Sequence, residues 1–189
     1  MTLGTGVGGG IILNGELWRG VDESAGEVGH VCVEPFSEVI CNCGSRGCLE
    51  LYASATAIVR MAREARARAA VVPIGEHITS EDVYQSAMKG DKVAREVFDA
   101  MGEYLAVGLI NLINILNPEM IVIAGGLANA WELFAPAMHR RIGQRSLPSR
   151  SLRVEIVPGE CDDDAGLLGA ARLAFDCVGS KQLQIESLM

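Results

Sequence analysis

Asn117-Pro118-Glu119-Met120-Ile121-Val122-Ile123-Ala124-Gly125-Gly126-Leu127 is the stretch that decides the fold of this 189-residue chain. Pro118 cannot continue a helix and pushes the residue before it out of helical geometry, so whatever precedes it ends at Asn117. The run Met120–Ala124 has no polar interruption and is short, as expected of a strand buried on both faces of a sheet. Gly125-Gly126 then turns the chain into a helix over roughly Trp131 to Arg145. Upstream, Ala94, Val97, Met101, Leu105, Leu109, Leu112 and Leu116 recur at steps of three and four after Gly90-Asp91, which predicts one long amphipathic helix. Helix, buried strand, glycine turn and helix in succession specify an α/β domain.

The rest of the chain extends the same pattern. Ile11–Leu13 and Glu16–Trp18 flank Asn14-Gly15, the dipeptide of tight hairpin turns. Val31-Cys32-Val33 predicts a short strand. Leu49 to about Arg68 is Ala-rich and free of Gly and Pro, hence helical. Pro73 and Gly75 break that helix, and Thr79-Ser80-Glu81-Asp82 opens a short one to Lys89. Arg153–Val157 is a further strand, and Asp164 introduces a last helix to about Cys177. The expectation is a mixed sheet in a single domain over residues 1–178, with a frayed tail at 179–189.

Sixteen Lys and Arg against 24 Asp and Glu give a net charge of −8, and 49% hydrophobic with 21% charged residues is globular composition. The acidity argues against a phosphate-backbone footprint, so no nucleic-acid partner is expected through this chain. No run reaches the roughly 18 to 20 uninterrupted apolar residues of a bilayer span, and the first residues, MTLGTGVGGG, do not resemble a secretory signal. A cytoplasmic protein without a membrane partner is the expectation.

Chemistry concentrates in two places. Cys41, Cys43 and Cys48 crowd one glycine-containing loop, with His30 upstream. Three thiolates and an imidazole are the donor set of a closed, structural zinc site; a reduced thiol cluster is the other reading. Cys32 competes with His30 for the fourth position. The remaining cysteines, Cys32, Cys161 and Cys177, read most simply as small buried hydrophobes. The second place is Gly4-Thr5-Gly6-Val7-Gly8-Gly9-Gly10, whose exposed amides and Thr5 hydroxyl can cradle phosphate oxygens or form a bulged turn. It lacks the Lys-Ser/Thr ending of a Walker loop and enters a hairpin rather than a helix. Gly125-Gly126, at the carboxyl end of a strand, is a second point where ligands gather or a plain helix-entry turn.

Glu27 and Glu50 flank the presumed zinc ligands, three residues before His30 and two after Cys48. A metal that fixes both segments would fix both carboxylates in a pocket able to accept several hydroxyl protons, as a polyol offers. Against that stand a solvated loop for Glu27 and a favourable first-turn charge for Glu50. Asp164 stands at a helix N-cap, which accounts for the run Asp162-Asp163-Asp164 better than a metal does. His77 and His139 read as surface residues.

Taken in order, LGTGVGGGIILNG, GEVGH, CNCGSRGCLE, NPEMIVIAGGL and DDAGLLGAA closely resemble the ROK family of sugar kinases and sugar-responsive repressors, over nearly all of Thr2 to Phe175. The resemblance implies the C-terminal lobe of an actin-like, ribonuclease-H-like ATPase fold with an inserted zinc-binding loop, and bacterial-type glucokinase as the nearest activity. It implies that Glu27, His30 and Glu50 contact sugar hydroxyls, and that His30, Cys41, Cys43 and Cys48 hold zinc. Thr5 and Gly6 then meet the nucleotide phosphates, and Gly125 and Gly126 lie beside adenosine. ATP and Mg²⁺ belong to the complete enzyme, and a homodimer is expected.

One departure matters. Family kinases carry a preceding lobe with an Asp-x-Gly-Gly phosphate motif and a catalytic Asp just upstream of the glycine loop. No residue of this chain matches that Asp, so no catalytic residue is expected here and phosphate transfer by these residues alone is expected to be weak or absent. The effector lobe of a ROK repressor is the rival reading, and fructose, mannose or an N-acetylhexosamine are rival substrates.

Overall fold

The structure, a computed structural model, describes residues 1–69, 77–147, 153–161 and 164–186. The expected helix break at Pro73 and Gly75, and Asp162 and Asp163, lie outside those residues. The described chain divides into two units, Met1–Pro158 and Gly159–Met189.

In the first unit, the strand β5 (Met120–Ile123) organises the sheet. It pairs in parallel with β6 (Glu155–Pro158), Met120 opposite Glu155 and Ile123 opposite Pro158. On its other side lies β1 (Thr2–Leu3): Leu3 N donates to Ala124 O at 2.7 Å and Ala124 N to Met1 O at 2.9 Å, with Thr2 and Ala124 in parallel register. β1 pairs antiparallel with β2 (Val7–Gly8). Parallel and antiparallel pairings thus meet on one strand, as a mixed sheet requires. β3 (Ile11–Leu13) and β4 (Glu16–Trp18) form a separate hairpin. Its turn residues Asn14 and Gly15 both have positive φ, 54° and 83°, the geometry of the tight turn their identity predicts.

β5 departs from expectation in its burial. Ile121 and Ile123 are buried, whereas Met120 and Val122 are 47% and 42% exposed. One face of the strand packs on helices within this unit and the other is open, so an unbroken apolar run did not mean burial on both faces.

The core is built on α4 (Lys92–Leu116), which starts where the Asp91 side chain accepts from Ala94 N and stops at Asn117 in the left-handed region. Its buried side chains Phe98, Met101, Leu105, Leu109 and Ile113 share one core with Phe134, Met138 and Ile142 of α5 (Trp131–Arg145). Gly102 lets the two helices close up, since a Cβ there would lie 2.3 Å from Phe134 O. By length and hydropathy α4 is the one described helix that would pass for a membrane span, but its apolar face is this core.

The helix expected over Leu49–Arg68 is two helices, α1 (Glu50–Ala53) and α2 (Ala55–Arg68). Ser54 leaves helical geometry (φ −107°, ψ 164°) and its side chain accepts from Ala57 N, capping α2. α3 (Ser80–Met88) opens on a reciprocal capping box between Thr79 and Asp82. Val31–Val33 is not a strand; only Cys32 pairs, opposite Cys48, and the residues before it form a 3₁₀ turn, Val28–His30.

The second unit holds α6 (Ala165–Glu186), preceded directly by Asp164. The helix does not stop near Cys177: beyond Gly179 the sequence SKQLQIE contains no further breaker and continues it.

Candidate functional site

β1, β2 and the junction of α1 with α2 place the glycine loop. Gly4 O accepts from Ala55 N at 2.8 Å and Thr5 O from the Thr56 hydroxyl at 3.1 Å, so the loop is fastened to the start of α2. Glu50, the first residue of α1, reaches the same loop: Val7 N donates to its Oε2 at 2.9 Å. A Cβ on Gly6 would lie 2.3 Å from that oxygen, so only glycine lets the carboxylate in. On the other side of Val7, its carbonyl abuts Gly29, where a Cβ would be 2.2 Å away. Val7 is therefore the spacer between Glu50 and the turn that carries His30.

His30 faces two ways. Its Nδ1 is 3.6 Å from Cys41 Sγ, and its Nε2 is 3.7 Å from Glu27 Oε2. Cys43 and Cys48 approach to 3.7 Å between sulfurs, and donor atoms of His30, Cys41, Cys43 and Cys48 all lie within 4.8 Å of one another. A tetrahedral zinc with bonds of about 2.3 Å separates neighbouring sulfurs by about 3.8 Å, so the spacing fits that ion. Burial pushes the Cys48 thiol up to about 12, while a backbone amide, that of Ser45, draws Cys43 down. Cys32, opposite Cys48 in the bridge, is exposed and does not join this donor group. The loop closes because Gly47 adopts φ +67° with its Cβ position only 1.9 Å from Glu34 O, and Gly44 takes φ +87°.

The reading of scattered cysteines as buried hydrophobes fails for Cys32 and Cys161, both exposed: neither stands on a helix or strand face that packs on the core. The Cys177 side chain lies outside what is described. His77 and His139 are exposed as expected, the latter edge-on to Trp131.

Three cavities among the described residues include Thr5 in their lining: one of 530 Å³ runs along α2 past Thr56, Val59 and Arg60, and the other two bear on the site. One of those two, of 440 Å³, has Thr5, Gly6, Asn42, Glu50, Thr56 and Arg60 among its lining residues. The other, of 420 Å³, joins Gly4 and Thr5 to Gly126, Asn129, Ser80 and Tyr84. Thr5 and Gly126, 121 residues apart, are thus brought to one groove, as the two glycine motifs suggested. Gly126 is open, with nothing within 4 Å of its Cβ position, whereas Gly125 (φ +91°) packs on β1 with Leu3 O only 2.5 Å from its own. Gly125 is a packing residue in this arrangement and Gly126 the one that lines the groove. Glu27 and His30 are in mutual contact, and Glu50 is fastened to Val7 on the far side of that spacer.

Sequence reading missed Arg60, Asn42, Ser80, Tyr84 and Asn129 as lining residues. Thr56 and Arg60 stand four apart on a helix, hence on one face, and that spacing could have exposed them. Ser80 and Tyr84 stand four apart on α3 in the same way, whereas Asn42 and Asn129 carry no such local signal, because tertiary folding alone brings them there.

Comparison with known proteins agrees with this geometry. The ROK family matches residues 1–176. A glucokinase of Halalkalibacterium halodurans is 38% identical over 179 residues, 92% of this chain and 54% of that protein, so the chain spans about half the length of this relative. A xylose repressor of Caldicellulosiruptor bescii is 33% identical over 186 residues, covering 93% of this chain and 45% of the repressor. Among solved structures, a ROK family glucokinase from Streptomyces griseus in complex with glucose and AMPPNP superimposes with a TM-score of 0.77 at 32% identity, over 91% of this chain and 58% of that one. From the match over residues 1–176, and from a glycine loop, a His/Cys cluster and a second glycine turn held around one loop, it follows that this chain belongs to the ROK family.

Proposed function

We propose that this chain is the sugar- and zinc-binding lobe of an ATP-dependent hexose kinase, with glucose its first candidate substrate. The observation that carries the reading is the position of Thr5, shared between the cavity lined by Glu50 and the groove lined by Gly126. A phosphoryl transfer needs an acceptor hydroxyl and a nucleotide on either side of a phosphate loop, and catalysis there is chiefly positioning and charge stabilisation. In this reading Glu27 and Glu50 accept hydrogen bonds from sugar hydroxyls, and His30 donates to one through the ring N–H left free by the metal. Thr5 and Gly6 donate to nucleotide phosphates, and Gly126 backs the adenosine with Gly125 fixing the turn.

His30, Cys41, Cys43 and Cys48 would hold zinc, whose role with four protein ligands is to brace the loop. Through His30 and Cys48 it would tie together the segments that carry Glu27 and Glu50. The reading assigns no general base within these residues; the family pattern puts that Asp ahead of the glycine loop, and ATP with Mg²⁺ completes the reaction. A cytoplasmic homodimer belongs to the same reading.

The similarity to a xylose repressor keeps a sugar-sensing lobe as the second reading. Calorimetric titration of the zinc-loaded chain with Mg²⁺·AMPPNP in the presence of glucose separates the two. The kinase reading expects saturable nucleotide binding; sugar binding without nucleotide binding supports the sensor.

A further inference from the structure

We infer that Arg60 is a positioning residue for the sugar pocket, acting on Glu50 through the one-turn helix α1; the inference rests on the sugar-binding reading above. α1 is too short to satisfy its own backbone, because every carbonyl of a four-residue helix lacks an intrahelical partner. Arg60, on the second turn of α2, supplies one of them: its Nη2 donates to Leu51 O at 2.5 Å. The guanidinium carbon lies 5.8 Å from the centre of the Tyr52 ring, within cation–π range. Its Nη1 is held by Glu64 Oε1 at 2.8 Å, one turn further along α2.

Arg60 thus grips the two residues that directly follow Glu50 and is itself anchored to α2. Tyr52 is braced from its other surroundings by stacking on Tyr104 at 4.1 Å and by donating to the Ser37 hydroxyl at 2.6 Å. The break at Ser54 would otherwise leave α1 to rotate against α2, since no continuous backbone ladder crosses it. A rotation of α1 moves the Glu50 carboxylate away from Val7 N and from the cavity that Arg60 also lines. A lysine can offer a point charge to Leu51 O but not the planar fork that also covers the ring and meets Glu64.

The test uses the zinc-loaded 189-residue chain and its Arg60→Met, Arg60→Lys and Glu64→Gln variants, with glucose binding by calorimetry, zinc content, Tm and amide exchange at Val7. Loss of a charge-assisted hydrogen bond predicts glucose binding weaker by about tenfold in Arg60→Met, partly restored in Arg60→Lys, and weakened by a smaller factor in Glu64→Gln, which keeps an acceptor for Nη1 but loses the charge that anchors it. Zinc content stays at the wild-type level, and exchange at the Val7 amide accelerates because its carboxylate partner has moved. Arg60→Met with wild-type glucose affinity and wild-type Val7 exchange overturns the inference while leaving the sugar-binding reading intact. A wild-type chain that binds no hexose overturns that reading instead, and accelerated Val7 exchange in Arg60→Met still upholds the mechanical link. A fall in zinc content or Tm that matches the fall in affinity in all three variants reduces Arg60 to a general stabilising residue and overturns the inference. If Arg60→Met does not fold, Arg60→Lys carries the same comparison.

Discussion

Glu50 and Val7 stand 43 residues apart and are joined by a single hydrogen bond, Val7 N to Glu50 Oε2 at 2.9 Å. That bond fastens the first helix after the cysteine cluster to the glycine loop, so the cluster, the carboxylate and the loop behave as one assembly.

Glu50→Gln keeps an acceptor for Val7 N and removes the charge. We predict glucose affinity reduced at least about tenfold with Tm close to wild type, the scale expected for hydrogen bonds to a charged group. Glu50→Ala removes the acceptor as well and should lower stability by about 1–2 kcal/mol in addition. Calorimetry beside thermal unfolding checks both; an unchanged affinity in Glu50→Gln removes the carboxylate from the site.

Gly6→Ala should act on the same carboxylate from the loop side. Its methyl group would sit 2.3 Å from Glu50 Oε2, so the side chain must leave its place. Reduced glucose affinity with retained zinc is the expected result in the same titration. Gly4→Ala, whose Cβ would meet nothing within 4 Å, is the matched control and should bind normally.

Metal analysis should find one zinc per chain, and chelation should lower Tm. His30→Ala and Cys41→Ser should lose the metal, whereas Cys32→Ser should keep it, because Cys32 stands outside the donor group. The buried Cys48 thiol, pushed up to about 12, is neutral at pH 7 without metal. Zinc uptake must therefore release a proton, and apparent zinc affinity should fall as pH falls. Equal zinc loss in Cys32→Ser would move the fourth ligand.

Asp91 gives a pH signature away from the site. Its carboxyl is held below the ordinary carboxylate value first by the Ala94 amide and then by Arg66, with which it forms a close ion pair. A depressed folded pKa contributes stability above the unfolded value, and that contribution is lost as pH falls through the folded one. Asp91→Ala should cost about 1 kcal/mol at pH 7, the scale of a lost N-cap. The gap between variant and wild type should narrow below about pH 4. Denaturant unfolding across that range measures it; a gap independent of pH contradicts the assignment.

The parts of the fold legible in the sequence were those governed by local rules. Asn117-Pro118 ended α4, Asn14-Gly15 made its hairpin turn, and Thr79 capped α3, each through chemistry contained in a few residues. The cysteine cluster was legible because Cys41, Cys43 and Cys48 lie close in sequence, and only His30 had to be brought from farther away. What was not legible depended on neighbours distant in the chain. Met120 and Val122 read as doubly buried, yet whether helices cover one face or both is not encoded in the strand. Ser54 read as helix interior because serine is tolerated there, but its hydroxyl captured Ala57 N and split the helix. Arg60 drew no separate reading within the expected helix, and it is the orphan carbonyl of Leu51 that gives it a partner. The family's ordered motifs single out Glu27, Glu50 and both glycine turns together as candidates, where each alone had an ordinary structural explanation.

The most direct test of the central claim is calorimetric titration of the zinc-loaded chain with a hexose panel led by glucose, run beside Glu50→Gln. The account predicts saturable one-site binding of at least one hexose, weakened in Glu50→Gln with zinc content unchanged. A folded, zinc-loaded chain that binds no hexose, or binds one equally well without the Glu50 charge, would contradict it.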